Sequence, residues 1–238
     1  LPEVPIYMEK GADNVFNEGD FILFYGKGPT AWSYQYGRFR HRQNVYSNAG
    51  YYFLTTDGGA GKRVVPESDP LTSSNGDITS FTDYFVHERD LVNLINSGRE
   101  FYGEEFGAKS YYEFTAPFPN MLSETAYVVL DVATRFWNYY STFRLYANDV
   151  EICTATLPPL EGSAIHEFAK TSNSVAYFTS PVGNQLNLNL TFNQPTARGW
   201  LNYFELNVKR ALKMVGEAPL FFRNIDYLAQ RKTHRYLL

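Results

Sequence analysis

A cysteine and a histidine are the residue types with which this sequence could attack a substrate. Cys153 is the only cysteine, and His166 follows it by 13 residues, a separation at which the two could meet across a hairpin. A catalytic thiol needs a lowered pKa and a neighbouring base that holds it as the thiolate. Cys153 instead lies in a strand-like run, residues 151–155, where a buried and inert cysteine is the ordinary occupant. We therefore expect Cys153 to pack in a core, and we predict no catalytic residue.

Oxygen ligands are concentrated in a glycine-containing loop near the start of the chain, in Asp13, Asn14, Asn17 and Asp20. Carboxylate and amide oxygens at this density could bind Ca²⁺. However, their spacing does not match an EF-hand, and Asp and Asn are also ordinary turn formers. A turn is the preferred interpretation and a calcium site the alternative, and we expect no other cofactor. The four histidines are scattered, without the spacing that brings two imidazoles to one transition metal.

Three aromatic residues alternate in an extended segment, at Trp32, Tyr34 and Tyr36, and Arg38 continues their register. Residues two apart in a strand share one face, so an exposed row of these rings could stack on sugars or dock against a protein. Guanidinium groups would then add hydrogen bonds at the rim. The alternative is a buried face from which the arginine extends to solvent, and it is the commoner case.

A polar pair is predicted at the junction between the two halves of the chain. Arg99 and Glu104 stand in a connector in which Gly98 and Gly103 allow sharp turns. We interpret the pair as a salt bridge that pins the junction.

The elements that must position these residues are strands. Four stretches of the second half alternate apolar and polar residues, the pattern of half-buried strands. Their apolar positions are 126, 128, 130 and 132; 143, 145 and 147; 186, 188, 190 and 192; and 204, 206 and 208. In the first half, the continuous apolar run at residues 20–26 suits a strand buried on both faces. One short helix is predicted at residues 88–96, with Gly98 as its stop signal.

Composition favours the same class and excludes others. The chain has 238 residues, of which 17% are aromatic, with 19 Tyr and 19 Phe against 3 Met, and aromatic residues suit sheets. The net charge of −4 argues against nucleic acid, which requires a concentrated basic surface. No apolar run is long enough to span a membrane, and a single cysteine excludes an internal disulfide. We predict an all-β protein with two packed β domains.

Four segments, kept in order along nearly the whole chain, together resemble one family. Each alone is weakly specific, and the order gives them weight. They are residues 16–26 (FNEGDFILFYG), 46–55 (YSNAGYYFLT), 87–106 with the run SGREFYGEEF at its end, and 199–212 with GWLNYFEL at its start. They are similar to the region that precedes the catalytic domain in the gingipain-like cysteine peptidase that acts as sortase of the type IX secretion system in Bacteroidetes. Two residues depart from the family pattern: Phe101 replaces Trp, and Asn202 replaces Asp.

The resemblance implies that a cysteine peptidase domain follows Leu238 in the parent protein and carries the catalytic His and Cys. It also implies an extracellular or periplasmic location, at the outer-membrane surface. The partners would be that peptidase domain and other secretion-system or surface proteins. The domains expected are a small β domain at residues 1–97, a connector at 98–109, a jelly-roll sandwich at 110–215 and a C-terminal extension at 216–238.

Two functions from different classes follow. The first is a non-catalytic accessory region that supports or presents the peptidase domain. The second is a carbohydrate-binding or adhesin-type module that acts through the alternating rings. Exposed, coplanar rings would favour the second function, and buried rings the first.

Overall fold

Strands form all the regular structure that the computed structural model describes. It describes residues 2–11, 13, 15–65, 76–97, 100–162, 167–217, 219–223 and 235–236. None of these residues belongs to a helix, so no helix here could cross a membrane. The strands are β1 (Ile6–Glu9), β2 (Phe21–Phe24), β3 (Ala31–Gln35), β4 (Arg38–Arg42), β5 (Asp77–Ile78), β6 (Ser80–Glu88), β7 (Glu105–Phe106), β8 (Tyr111–Met121), β9 (Thr125–Arg135), β10 (Ser141–Ala147), β11 (Val150–Leu157), β12 (Lys170–Thr179), β13 (Gly183–Phe192), β14 (Arg198–Ala211) and β15 (Arg235–Tyr236).

The chain divides into two compact units. Unit 1 comprises Leu1–Ser33 and Arg42–Ser73, and unit 2 comprises Tyr34–His41 and Ser74–Leu238. The tip of the β3–β4 hairpin, residues 34–41, therefore belongs to unit 2. Strand β6, which lies within the first of the predicted domains, also belongs to unit 2, where it pairs with β14.

Unit 2 is a sandwich whose two layers belong to one continuous sheet. One layer has the strand order β11-β10-β13-β8. In the other layer, β14 pairs with β9 on one side and with β6 and β7 on the other, and β12 lies beyond β9. The layers join where Arg210 of β14 pairs with Met121 of β8. The strand pairings of this nine-stranded sheet are antiparallel, which allows one face of each layer to bury apolar side chains and the other to carry polar ones, whereas the short strands β5 and β15 pair in parallel outside it. The predicted all-β class and the sandwich are confirmed.

The core lies between the layers and is built from the alternating positions that the sequence predicts. Leu188 and Leu190 of β13 and Leu206 of β14 are almost completely buried. Aromatic rings fill the gap between the layers, as in the edge-to-face contact of Phe114 with Phe204 at 5.2 Å between ring centres. Burial of such side chains supplies the main favourable free energy of folding.

The predicted helix at residues 88–96 is wrong. Glu88 ends strand β6, and the chain then turns back to form an isolated antiparallel bridge between Val92 and Tyr102. Leu91 N and Val92 N both donate to Tyr102 O, at 3.0 and 2.9 Å. A three-turn helix is marginal without tertiary packing, so main-chain bonds to another segment prevail here.

The predicted burial of residues 20–26 on both faces is also wrong. This run does form strand β2, paired with β1. However, Phe21, Leu23 and Phe24 of β2 are 44–56% exposed. No described residue of unit 1 is buried, and the described strands β1 and β2 of this unit pair with each other as a two-stranded sheet.

Gly199 lets β14 approach two rings of the facing layer, and this yields a stability prediction. A Cβ atom at this position would lie 2.6 Å from Phe143 Cζ and 3.1 Å from Phe192 Cζ. Gly199→Ala should therefore lower the free energy of unfolding by about 1–3 kcal/mol through overpacking, as measured by urea denaturation.

Gly183→Ala is the matched control, because its Cβ would meet only Met121 Cε, at 3.8 Å. This variant should stay within about 0.5 kcal/mol of the wild type. Equal effects of the two substitutions would contradict the proposed packing.

Candidate functional site

The most elaborate polar arrangement of unit 2 lies on the outer face of β14. Strand β14 alternates core residues with Glu205 and Asn207, which point away from the core and would be solvated on an uncovered sheet. Glu205 is instead fully buried, and Asn207 is 4% exposed. The hairpin tip, residues 34–41, covers them.

Side chains of β14 bind the main chain of the hairpin tip. Asn207 accepts from Phe39 N through Oδ1 at 2.6 Å and donates from Nδ2 to Phe39 O at 3.0 Å. Glu205 Oε1 accepts from His41 N at 3.0 Å. Residues two apart on β14 thus bind residues two apart on β4, so these side chains perform the role of a neighbouring strand.

Charges on the hairpin tip neutralise the buried carboxylate. His41 donates from Nδ1 to Glu205 and from Nε2 to Glu88 Oε2, the latter at 2.7 Å. Arg40 Nε lies 2.9 Å from Glu205 Oε2. Tyr203 closes the cluster with an edge-to-face contact to the imidazole, 4.6 Å between ring centres. With His41 protonated, two cations face two carboxylates, which is how buried charges are tolerated.

The environment of His41 favours its charged form. Burial by itself lowers the pKa of the imidazole, but the hydrogen bonds and negative charges of Glu205 and Glu88 outweigh burial and raise the pKa to about 9. The side chain is only 4% exposed and both of its ring nitrogens are bonded. His41 therefore has no nitrogen free to take a proton from a substrate, and the cluster fixes structure.

A second polar group extends across the same face of the sheet around Asp131 of β9. Asn173 and Asn202 donate to its two oxygens, at 2.7 and 3.1 Å. Burial raises the pKa of Asp131, and the two amides oppose that rise. The family that the sequence resembles has Asp at position 202. In this chain the amide of Asn202 donates a hydrogen bond to Asp131, which an Asp carboxylate at that position could not do.

Glu104, predicted at the junction, is buried and pairs with His87 and Arg89. His87 Nε2 donates to its Oε1 at 3.0 Å, and Arg89 Nη1 lies 3.6 Å from the same oxygen. Burial opposes ionisation of Glu104, yet His87 and Arg89 outweigh it and lower the pKa of the carboxyl group. Arg99 lies outside the described residues, so its pairing with Glu104 stays a prediction.

The aromatic residues of the hairpin do not form one exposed row. Trp32 and Tyr34 alternate on β3 and are both half-buried. Tyr36 leaves the register, because it occupies the turn with a φ of 51° and is 91% exposed. The guanidinium group of Arg38 lies over the ring of Tyr127, 4.3 Å from its centre. Ligand binding by these residues stays a prediction.

The oxygen atoms of the predicted calcium ligands accept hydrogen bonds from groups of their own loop. Asp20 accepts from Gly11 N at 3.0 Å and from Asn17 N at 2.9 Å. Asp13 accepts from Asn17 Nδ2 at 2.9 Å, while Asn14 lies outside the described residues. Within the described part of the chain, no group of three His, Cys, Asp or Glu side chains is placed to hold a metal. Calcium binding at this loop stays a prediction.

Cys153 is buried in β11, opposite Leu145 of β10. Burial, followed by the negative charge of Glu151, raises the pKa of its thiol to about 11. A nucleophilic cysteine requires the opposite shift. His166 lies outside the described residues.

Sequence reasoning missed the His41–Glu205 cluster. Alternation placed Glu205 and Asn207 on the polar face of β14, where side chains are usually solvated. Two patterns in the sequence carry a signal for the cluster. One is a carboxylate and an amide two residues apart in an apolar strand, and the other is the basic run RFRHR at residues 38–42. Neither pattern says that the two segments meet.

Comparison with known proteins gives an informative likeness among the solved structures. No protein-family model matches the sequence, and no curated protein matches it either. The chain is similar to dimeric latent PorU from Porphyromonas gingivalis, with a TM-score of 0.75 and 22% identity over 93% of this chain. The match covers 20% of that protein, so this chain spans about a fifth of its length. At this identity the likeness establishes a shared fold.

A second similarity is too low to support an argument. The carbohydrate-binding module CBM36 in complex with calcium and xylotriose matches with a TM-score of 0.31 and 11% identity. The match covers 54% of this chain and 99% of that module.

The raised pKa of His41 predicts a pH dependence of stability. The folded state binds the imidazole proton more tightly than the unfolded state, whose histidine has a pKa of about 6.5. The contribution is therefore complete below about pH 6.5 and is lost as the pH rises through about 9. Its full value is about 3 kcal/mol as an order of magnitude.

His41→Gln removes the titrating group and serves as the comparison. Urea unfolding between pH 6 and pH 9.5 should show the stability of the wild type falling towards that of the variant. If the two stabilities kept a constant difference over this range, protonated His41 would not support the fold.

Proposed function

We propose that this chain is the N-terminal, non-catalytic accessory region of a cell-surface cysteine peptidase related to the type IX secretion sortase. The observation that carries the proposal is the likeness to PorU, a type IX secretion sortase, over 93% of this chain. The matched region is about a fifth of that protein, and such a share is expected of one accessory region within a larger chain.

The resembling sequence motifs support the same proposal through their positions. The run SGREFYGEEF contains Glu104, the buried carboxylate that His87 and Arg89 neutralise. The closing motif GWLNYFEL forms the first part of β14 and contains both Asn202 and Glu205. The motifs thus contain the two buried carboxylates Glu104 and Glu205, so the resemblance includes residues of the folded interior.

The state of the potential nucleophile supports a role without chemistry. Cys153 is buried and its pKa is raised, so little thiolate would exist at neutral pH. His41 and His87 are both bonded to carboxylates. The role proposed is therefore mechanical, namely to support or present a peptidase domain of the same polypeptide, exported to the outer-membrane surface.

The coding sequence beyond codon 238 tests this proposal. The expected result is a following α/β domain that carries a His and then a Cys at strand ends. In that parent protein, Cys153→Ala should leave peptidase activity within about twofold of the wild type, because the buried thiol takes no part.

Replacement of the downstream cysteine by Ala is the matched control and should abolish activity. A stop codon near Leu238 would contradict the proposal and favour a free-standing binding module. Loss of activity in a folded Cys153→Ala variant would contradict the non-catalytic role.

A further inference from the structure

Residues 51–54 of unit 1 form an apolar segment that belongs to no strand and pairs with none of the described strands. Their sequence, YYFL, is typical of a buried strand. Yet Tyr51 is 77% exposed, Phe53 83% and Leu54 77%. Among the described residues, no main-chain group of this segment bonds to another main-chain group. Within the described structure, the main chain of this segment and the side chains of Tyr51, Phe53 and Leu54 are thus left to solvent, which is costly for apolar residues.

One residue of the segment fixes its orientation. The Tyr52 hydroxyl bonds to the main chain of Lys27, accepting from its N–H and lying 3.3 Å from its carbonyl oxygen. The ring of Tyr52 lies 5.0 Å from that of Phe24. Tyr51 and Phe53, the chain neighbours of Tyr52, remain exposed while Tyr52 is anchored against β2. The segment is thus held in place with its apolar side outward.

We infer that residues 51–54 are a docking strand for the peptidase domain of the same polypeptide. This inference rests on the function proposed above. The docking strand would add its main chain to an edge of that domain and cover Tyr51 and Phe53 with apolar side chains. Main-chain bonds supply affinity in such strand addition, and alternate side chains supply specificity.

The size of the docking strand favours a tethered partner over a separate one. Stable interfaces between independent proteins use about 20–30 residues on each side. Four residues are far fewer, so neither a second copy of the chain nor a separate protein would be held by them alone. A domain joined covalently needs much less contact, because tethering gives effective concentrations of the order of millimolar. In PorU four fifths of the chain lie outside the matched region, which leaves room for such a domain.

Hydrogen exchange measured by mass spectrometry tests the inference. Amides of residues 51–54 should exchange at least about tenfold more slowly in the parent protein than in the 238-residue chain, because docking forms main-chain bonds. Amides of β13 should exchange equally in both, since β13 lies in the core of unit 2. In the parent, Phe53→Asp should remove the protection.

Tyr46→Asp is the matched control, because Tyr46 is an aromatic residue of unit 1 with similar exposure, 81%, outside the docking strand. It should leave the protection intact. Equal exchange in a parent that has the peptidase domain would overturn this inference and leave the proposed function standing. Protection in the 238-residue chain that grows with its concentration would identify a second copy as the occupant and also overturn it. A parent without a peptidase domain would overturn both.

Discussion

The buried carboxylate of Glu205 is the constraint on which the outer face of the sandwich depends. An isolated charge at a fully buried position would cost several kcal/mol, so Glu205 requires the cations that the hairpin tip supplies. Asn207 binds the main chain of the hairpin tip at Phe39, next to Arg40 and His41, which reach Glu205. One carboxylate thus determines where residues 34–41 lie, although they are far from β14 in the sequence.

The apolar framework of unit 2 could be predicted from the sequence, and its polar face could not. Alternation identified β9, β10, β13 and β14 because the period of a strand is fixed by backbone geometry. His41 lies 164 residues from Glu205, Asn173 lies 42 residues from Asp131, and His87 lies 17 residues from Glu104, so no local pattern encodes these contacts. Residues 88–96 show the same limit, since a helical pattern lost to main-chain bonds with Tyr102.

Unit 1 shows where apolar patterning misleads. The runs at residues 20–26 and 51–54 have the composition of core strands, and this composition predicts burial for the first. Composition reports that a segment prefers burial but not which molecule or domain buries it. Exposed apolar segments of this kind are expected of a region that completes its packing against a neighbouring domain. Such packing would explain why both runs are apolar.

The central claim, that this region supports a peptidase domain, is tested most directly by the thermal stability of that domain. The parent protein would be compared with a variant that lacks residues 1–238, and the melting temperature and turnover of the peptidase domain would be measured. The account predicts a melting temperature lower by about 4 °C or more in the variant, corresponding to the loss of at least about 1 kcal/mol. An unchanged melting temperature with unchanged turnover would contradict it.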